Sequence, residues 1–385
     1  MCLKLRYLCS LVELRDMSSA WDDLWNRSAC DAPIARAELL ALWIETYAAE
    51  ANFLATVVEA DGQFVAALPL IGGRKAKLFR AGMFPPKEWS RCGGLLWDPT
   101  AGSESLDVLV RGIQKSPSSV VWLDGVPYKE PRWTEFLKSL SRAKLLWNLQ
   151  KQDEIGIVDC DGDWETFQAK WSGNHRRHMR KAVRKAASEG ALELKIVRDF
   201  DSAEEVEELV KRGFEVEDRS WKGNDTKTSV LKTPGRLSFF IRQAQQLALW
   251  NQLQLVFLIF NGQPIAFEFG WIAKEVYLTP KVGYDESFSR FSPGQLLRYL
   301  LYERFHIERS VRYVDFAGEL SDATAKWSTR IYPVGRLVFE CGSLFGRTLV
   351  KAYSCYRGKR ASTGMKVVFQ SIEVPSHTSM ELELA

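Results

Sequence analysis

Between Thr166 and Ser188 the chain carries no acid and seven cations: Lys170, Arg176, Arg177, Arg180, Lys181, Arg184 and Lys185. At 100° per residue, Met179, Ala182, Val183, Ala186 and Ala187 gather on one side of a helix and the cations cover the rest. A solvated surface helix is the plain reading of such a run. The absence of acids at i±4 argues further, because like charges then repel without relief. An anion would relieve them: a phosphate-bearing substrate, tRNA or a membrane surface. Arg177, Arg180, Lys181 and Arg184 are the expected contacts. His175 and His178 stand three apart, but guanidinium groups surround them and no carboxylate or thiol is near in sequence, so no metal is expected there.

A second constellation runs from Tyr284 through Arg290, Ser292, Pro293, Gly294 and Gln295. Ser292 is suited to cap a helix and Pro293 to begin one. Such an N-terminus offers free amides and partial positive charge, and Arg290 beside it suits a pyrophosphate, although Ser-Pro also serves for capping alone. A third set consists of polar groups in apolar context. Glu268 lies between Phe267 and Phe269, Asp218 and Arg219 precede Trp221, and Asp315 follows the apolar run 311–314. A strand carboxylate buried in such surroundings has a raised pKa and can act as a general base; one on the polar side of its strand simply faces solvent.

Composition narrows the classes. The 385 residues hold 52 Lys+Arg and 48 Asp+Glu, and outside 166–188 the balance is 45 cations against 48 acids, so the net +4 belongs to one segment. With 46% hydrophobic and 26% charged residues and abundant Phe, Trp and Tyr, the chain can bury cores without metal or disulfide, and its length suggests two domains. The seven cysteines, at 2, 9, 30, 92, 160, 341 and 355, include no C-x-x-C pair. That fits reduced thiols, and with no signal-like or membrane-spanning run it suggests a cytoplasmic protein. No Gly-x-Ser-x-Gly elbow, Walker loop or dinucleotide fingerprint is present, which removes the hydrolase, kinase and dehydrogenase readings.

The positioning elements read as mixed α and β. Helical spacing appears at 21–25, 34–47, 133–141 and 293–307. Strands are expected at 53–59, 64–71, 120–123, 155–158, 255–260, 264–273, 276–282 and 311–316. Asp61-Gly62-Gln63-Phe64-Val65-Ala66 faces Asn261-Gly262-Gln263-Pro264-Ile265-Ala266 at an offset of 200, a hairpin match that suggests two copies of one α/β unit and recurs widely enough to arise by chance.

The order of these motifs resembles the CelD/BcsL-like acetyltransferase family of the GNAT superfamily, which is related to the FemAB transferases. The resemblance runs through Asp163-Trp164-Glu165, the basic helix, Arg219-Ser220-Trp221, the Asn261-Gly262 hairpin, Tyr284-Asp285 to Gly294, Asp315-Phe316-x-Gly318 and Lys326-Trp327, and covers about 10–345. It implies an α/β (α+β) fold of tandem GNAT-like halves, each a mixed, largely antiparallel sheet flanked by helices. The halves would be 1–160 and 161–345, followed by an extension at 346–385 expected to be partly disordered, with fraying from about Ser371.

The resemblance also implies an acyltransferase: acetyl-CoA as donor, and as acceptor an amine on an anionic, phosphate-bearing sugar precursor of the cell envelope or an exopolysaccharide. Peripheral contact with the inner membrane surface and no nucleic acid go with this reading. Glu268 or Asp218 would be the base and Tyr284 the acid, while amides of the strand 264–273 polarise the carbonyl. Arg290, Ser292, Pro293, Gly294 and Gln295 would hold the donor. Arg177, Arg180, Lys181, Arg184, Arg219, Trp221, Asp315, Lys326 and Trp327 would hold the acceptor. The family's (Gln/Arg)-x-x-Gly-x-(Gly/Ala) loop is altered, with Pro293 at the first glycine position, which leaves the donor open. Two rivals remain: FemAB-type transfer from aminoacyl-tRNA to a peptidoglycan precursor, and a non-catalytic anion-binding protein on a GNAT scaffold.

Overall fold

The computed structural model describes residues 2–75, 79–84, 94–224 and 229–361. The first half contains β1 (Leu3–Leu8), α1 (Leu11–Asp16), α2 (Ser18–Arg27), α3 (Ala37–Tyr47), β2 (Phe53–Ala60), β3 (Gln63–Lys75), β4 (Phe79–Met83), β5 (Leu96–Trp97), α4 (Ser103–Gln114), β6 (Val120–Val126), α5 (Pro131–Arg142) and β7 (Trp147–Asp159). The second contains α6 (Trp164–Ala169), α7 (Gly173–Glu189), β8 (Leu192–Val197), α8 (Ala203–Asp218), α9 (Arg236–Leu249), β9 (Leu253–Phe260), β10 (Gln263–Ala273), β11 (Val276–Tyr284), α10 (Pro293–Glu308), β12 (Tyr313–Glu319), α11 (Asp322–Ala325), β13 (Arg330–Glu340) and α12 (Leu344–Ala361).

One mixed sheet joins them in the order β1-β2-β3-β4-β6-β13-β7-β12-β11-β10-β9-β8, with β5 on β3. The order is a palindrome of equivalent strands. In each half three antiparallel strands lead through a helix to a strand parallel to the third, β4 beside β6 and β11 beside β12. The last strand of each half then enters the other half's sheet. β13 pairs with β6, β7 pairs with β12, and β7 and β13 pair with each other at the centre. A boundary at 160 therefore divides the sequence but not the sheet.

The repeated hairpin is real in three dimensions. Asp61 and Gly62 have φ of 51° and 83°, and Asn261 and Gly262 have 49° and 80°, so both pairs form the double positive-φ turn that suits the twist of flanking strands. Each returning strand then bulges at the same place: Val58 faces Ala66 while Glu59 faces Phe64, and Leu258 faces Ala266 while Ile259 faces Pro264.

A polar clamp recurs with it. Arg219, at the end of α8, donates to Asp285 Oδ2 at 2.6 Å and to the Pro264 carbonyl at 3.1 Å. Arg27, at the end of α2, pairs with Asp98 and donates to the Phe64 carbonyl at 2.7 Å. The amides of Asp98 and Asp285 reach the carbonyls of Val65 and Ile265, both at 2.9 Å. Each aspartate also caps a short turn through Thr100 or Ser287. The halves differ just beyond. Where Gly283 and Tyr284 of β11 pair with Phe267 and Ala266, the first half seats Leu96 and Trp97 of the separate strand β5 against Ala67 and Ala66.

Two helices that sequence periodicity did not single out, α8 and α9, pack Val206, Val210, Phe214, Phe239, Phe240 and Ala244 against β9, β10 and β11. The extension at 346–385 begins inside α12. Through Ala361 it is helical, because Leu349, Val350 and Tyr353 have Val120, Trp122 and Val338 to pack on. The expected fraying from Ser371 lies outside the described residues. Because both aspartates of the clamp are nearly buried, Arg27→Ala and Arg219→Ala should each cost about 1–3 kcal/mol of stability in chemical denaturation. Loss from one variant but not the other would show that the clamp does not serve the two halves alike.

Candidate active site

β11 and β12 pair over only three positions, Val276 to Leu278 with Tyr313 to Asp315. Beyond them β12 leans toward β7, where Glu319 faces Ile155, and β11 stays with β10 as far as Tyr284. Two local causes open this fork. Pro280 has no N–H to offer a neighbouring strand. Ala317 adopts φ of 50°, and its amide is taken at 2.7 Å by the Asp315 carboxylate rather than by a strand. The edge of 279–284 facing β12 consequently has no strand partner among the described residues. The expected polarising strand, 264–273, is β10, which pairs along both edges with β9 and β11 except at the bulges by Ile265 and Gly270.

Asp315 stands at the base of the fork with 4% of its surface exposed. Tyr332 from β13 donates to it at 2.8 Å. Burial pushes its carboxyl up to about 7, and the carboxylates of Asp31 and Glu130 push the same way against the bonds from Ala317 and Tyr332. Asp31 comes from the first half and receives the Tyr313 hydroxyl at 2.8 Å. Lys274 fixes the same loop by donating to the carbonyls of Trp25, Ser28 and Cys30.

Glu268 has no exposed surface. It lies between β10 and α10, with the Tyr277 hydroxyl at 3.4 Å and Arg298 Nε at 3.8 Å. Burial raises its pKa and Arg298 opposes the rise. Asp218 ends α8 and is partly exposed, accepting from Ser229 at 2.9 Å with Lys232 at 3.6 Å. Tyr284 and Gly294 meet at the mouth: a Cβ on Gly294 would lie 3.6 Å from the tyrosine ring. Ser292 does not cap α10 with its side chain. It sits in the left-handed region, φ 53° and ψ 55°, and its carbonyl begins the helix by accepting from Gln295 and Leu296. Pro293 follows as the first helical residue. Arg290 turns back to Glu189 at 2.8 Å and lies over Phe291. Gln295 accepts the Trp327 indole N–H at 2.7 Å.

Ser172 caps α7, accepting the His175 amide at 3.2 Å. Arg177, Arg180, Lys181 and Arg184 all lie exposed along it, and none has an acidic partner among the described residues. Arg219 is held by the clamp, and Trp221 beside it is 52% exposed. Trp327 is buried among Trp171, His175 and Tyr302, and Lys326 lines a cavity next to it. The sequence reading missed four contributors. Lys281, on β11 itself, is 5% exposed, and burial lowers its pKa to about 8 against the pull of Glu217 at 3.6 Å. Lys222 donates to both Glu217 and the Val282 carbonyl. Asp31 and Tyr332 reach Asp315 from distant sequence. Lys281 had a signal, a lysine inside an apolar strand; the others had none.

The second half thus sets parallel neighbours splayed above a helix N-terminus in a mixed sheet flanked by helices, and the first half repeats the strand order. Residues 173–325 match the acetyltransferase (GNAT) domain family. No curated protein matches the chain. The fold is similar to the C-terminal DUF2156 domain of a protein described as a lysylphosphatidylglycerol synthetase from Agrobacterium fabrum, at 13% identity over 93% of this chain and 100% of that one, with a TM-score of 0.53. It is also similar to a conserved protein of unknown function from Bacteroides thetaiotaomicron, at 12% identity over 88% and 99% of the two chains, with a TM-score of 0.50. Among the described residues there is no group of three or more His, Cys, Asp or Glu that could hold a metal, and no helix is long and apolar enough to cross a membrane.

The raised Asp315 carboxyl has a consequence for stability. An unfolded aspartate titrates near 3.9, so between about 4 and 7 the folded state holds the extra proton, and stability falls as pH rises through that window. Asp315→Asn keeps the shape and removes the charge. Its melting temperature should exceed the parent's by several degrees at pH 8 and by much less at pH 5. An equal gap at both pH values would show that Asp315 titrates normally.

Proposed function

We propose that the protein is an acyl-CoA-dependent N-acyltransferase, using acetyl-CoA, of the CelD/BcsL-like kind. Its acceptor is an amine on an anionic, phosphate-bearing sugar precursor of the envelope or an exopolysaccharide, met in the cytoplasm. The observation that carries this reading is the fork: an unpaired strand edge with a near-neutral carboxyl at its base and a helix N-terminus at its mouth.

In this reading the thioester lies between β11 and β12, and an amide on the open edge of 279–284 bonds the acyl oxygen as charge develops there. The acceptor amine attacks the carbonyl carbon in a ternary complex, so positioning supplies much of the acceleration. Asp315 takes the amine proton, directly or through a water. Its proton affinity near 7 suits that transfer, whereas Glu268 has no surface to offer a substrate. Tyr284, at the end of the open edge, gives a proton to the departing thiolate. The Gly294 amide receives pyrophosphate, with Pro293 having removed one donor. The exposed cations of α7 draw the anionic acceptor.

Labelled acetyl-CoA offered with a panel of amino sugars and their nucleotide-linked forms tests the reading. Transfer is expected, with kcat/KM falling about tenfold per pH unit below 7 and about 10²–10⁴-fold in Asp315→Asn. An acid limb unchanged in position by Asp31→Asn, together with full activity of Asp315→Asn, would remove the base assignment. No CoA binding, with transfer from aminoacyl-tRNA instead, would replace the donor.

A further inference from the structure

The last helix, α12, packs by one side only. Val350 is buried there, with Leu349 and Tyr353 beside it, against Val120 and Trp122 of β6 and Val338 of β13. The Tyr353 hydroxyl donates to the Gln150 side chain on β7 at 2.8 Å, and its ring meets Trp122 with centroids 4.9 Å apart. Gly346 brings the first turn onto the main chain, since a Cβ there would overlap the Ser119 carbonyl oxygen. These anchors along one side fix which way the helix faces.

The side turned outward is apolar and cationic at once. Leu344 and Phe345, in the first turn, are 85% and 56% exposed, and Tyr356 is exposed further along the same helix. At 100° per residue Phe345, Ala352 and Tyr356 share one flank, Arg347 and Lys351 share the other, and Leu344 lies between them. Both cations are exposed. Arg347 has the buried Glu340 carboxylate at 3.9 Å, and Lys351 has no acidic partner among the described residues. The sequence around them is one-sided as well: 341–372 holds six Lys and Arg and no acid. Exposed leucine and aromatic side chains gathered in an acid-free cationic stretch differ from apolar residues scattered singly, which any surface carries.

Such a face selects its partner. A second copy of the chain would set the same cations against each other, and like charges across an interface repel. Nucleic acid offers phosphates to the cations but no hydrocarbon for Leu344 to enter. An anionic lipid surface supplies both, with phosphates for Lys and Arg and acyl chains beneath them for leucine and aromatic rings.

We propose that α12 docks the protein on an anionic lipid surface, lying in its plane with Leu344, Phe345 and Tyr356 at the boundary of headgroups and acyl chains and with Arg347 and Lys351 on lipid phosphates. The contact is separate from the acyl-transfer chemistry and stands whether or not that reading holds.

Vesicle flotation of the full chain, without acyl donor or acceptor, tests it. The probes are vesicles of phosphatidylcholine alone and of an equimolar mixture with phosphatidylglycerol. Binding is expected to the mixture and not to phosphatidylcholine, and it should weaken as salt rises. Leu344→Ser/Phe345→Ser should weaken it about tenfold and Lys351→Gln about fivefold. Melting temperatures should hold, because these side chains are exposed. Each of the following would overturn the proposal: no preference for the mixed vesicles; parent-like binding by Leu344→Ser/Phe345→Ser; loss of binding in Arg180→Gln/Arg184→Gln alone, which would move the contact to α7; tighter binding to duplex DNA than to the mixed vesicles; or a dimer in light scattering that Leu344→Ser/Phe345→Ser dissolves, which would give the face to a second copy.

Discussion

The antiparallel ladder between β7 and β13 is the interaction on which the rest of the molecule depends. Ten residues of β13, Arg330 to Phe339, face Trp147 to Ile157 of β7. Each strand is the last of its own half and is inserted into the sheet of the other. Neither half can complete its sheet alone, since β6 needs β13 and β12 needs β7. The exchange turns two GNAT-like units into one continuous sheet, and main-chain hydrogen bonds carry the join where side chains alone would make a looser one.

That join also builds the fork's chemistry. Tyr332 reaches Asp315 because β13 lies two strands from β12. Asp31 reaches Tyr313 because the first half is held against the start of β12, and Lys274 seats the β10–β11 hairpin on carbonyls at the end of α2. The proton affinity of Asp315 is thus a property of both halves: burial dominates, and the first half supplies two carboxylates that strengthen it. Lys281 on the neighbouring strand is shifted the opposite way by burial.

Much of the fold was legible because it rests on local patterns. The Asp61-Gly62 and Asn261-Gly262 turns need positive φ, and only a few residue types supply it cheaply, so the hairpins and their repeat were visible at an offset of 200. The helix at Pro293 was visible for the same kind of reason. Ser292 stands at the N-cap as read, but in the left-handed region and without a side-chain bond, which its φ of 53° shows and its residue type does not. α8 escaped because its apolar residues are spaced among many charges, whereas α9 carries only Arg236 and Arg242 and was not singled out. The open edge fell on β11 and not β10 because pairing partners are chosen by topology. Arg219 showed itself as a clamp only once Arg27 appeared in the same geometry 192 positions earlier in the chain.

The place where the halves part company sets different demands on two residues that occupy matching positions. Trp97 fills its seat against Ala66, buried to 8% exposure with its indole N–H tied to Ser105. Tyr284 takes the corresponding seat against Ala266 at an open mouth. Mutational tolerance should therefore diverge along the duplication: volume decides at position 97, where a smaller side chain leaves a hole, and matters less at 284, which is only half-buried. The duplication thus leaves one mouth filled and the other open, with the first copy held as support for the second.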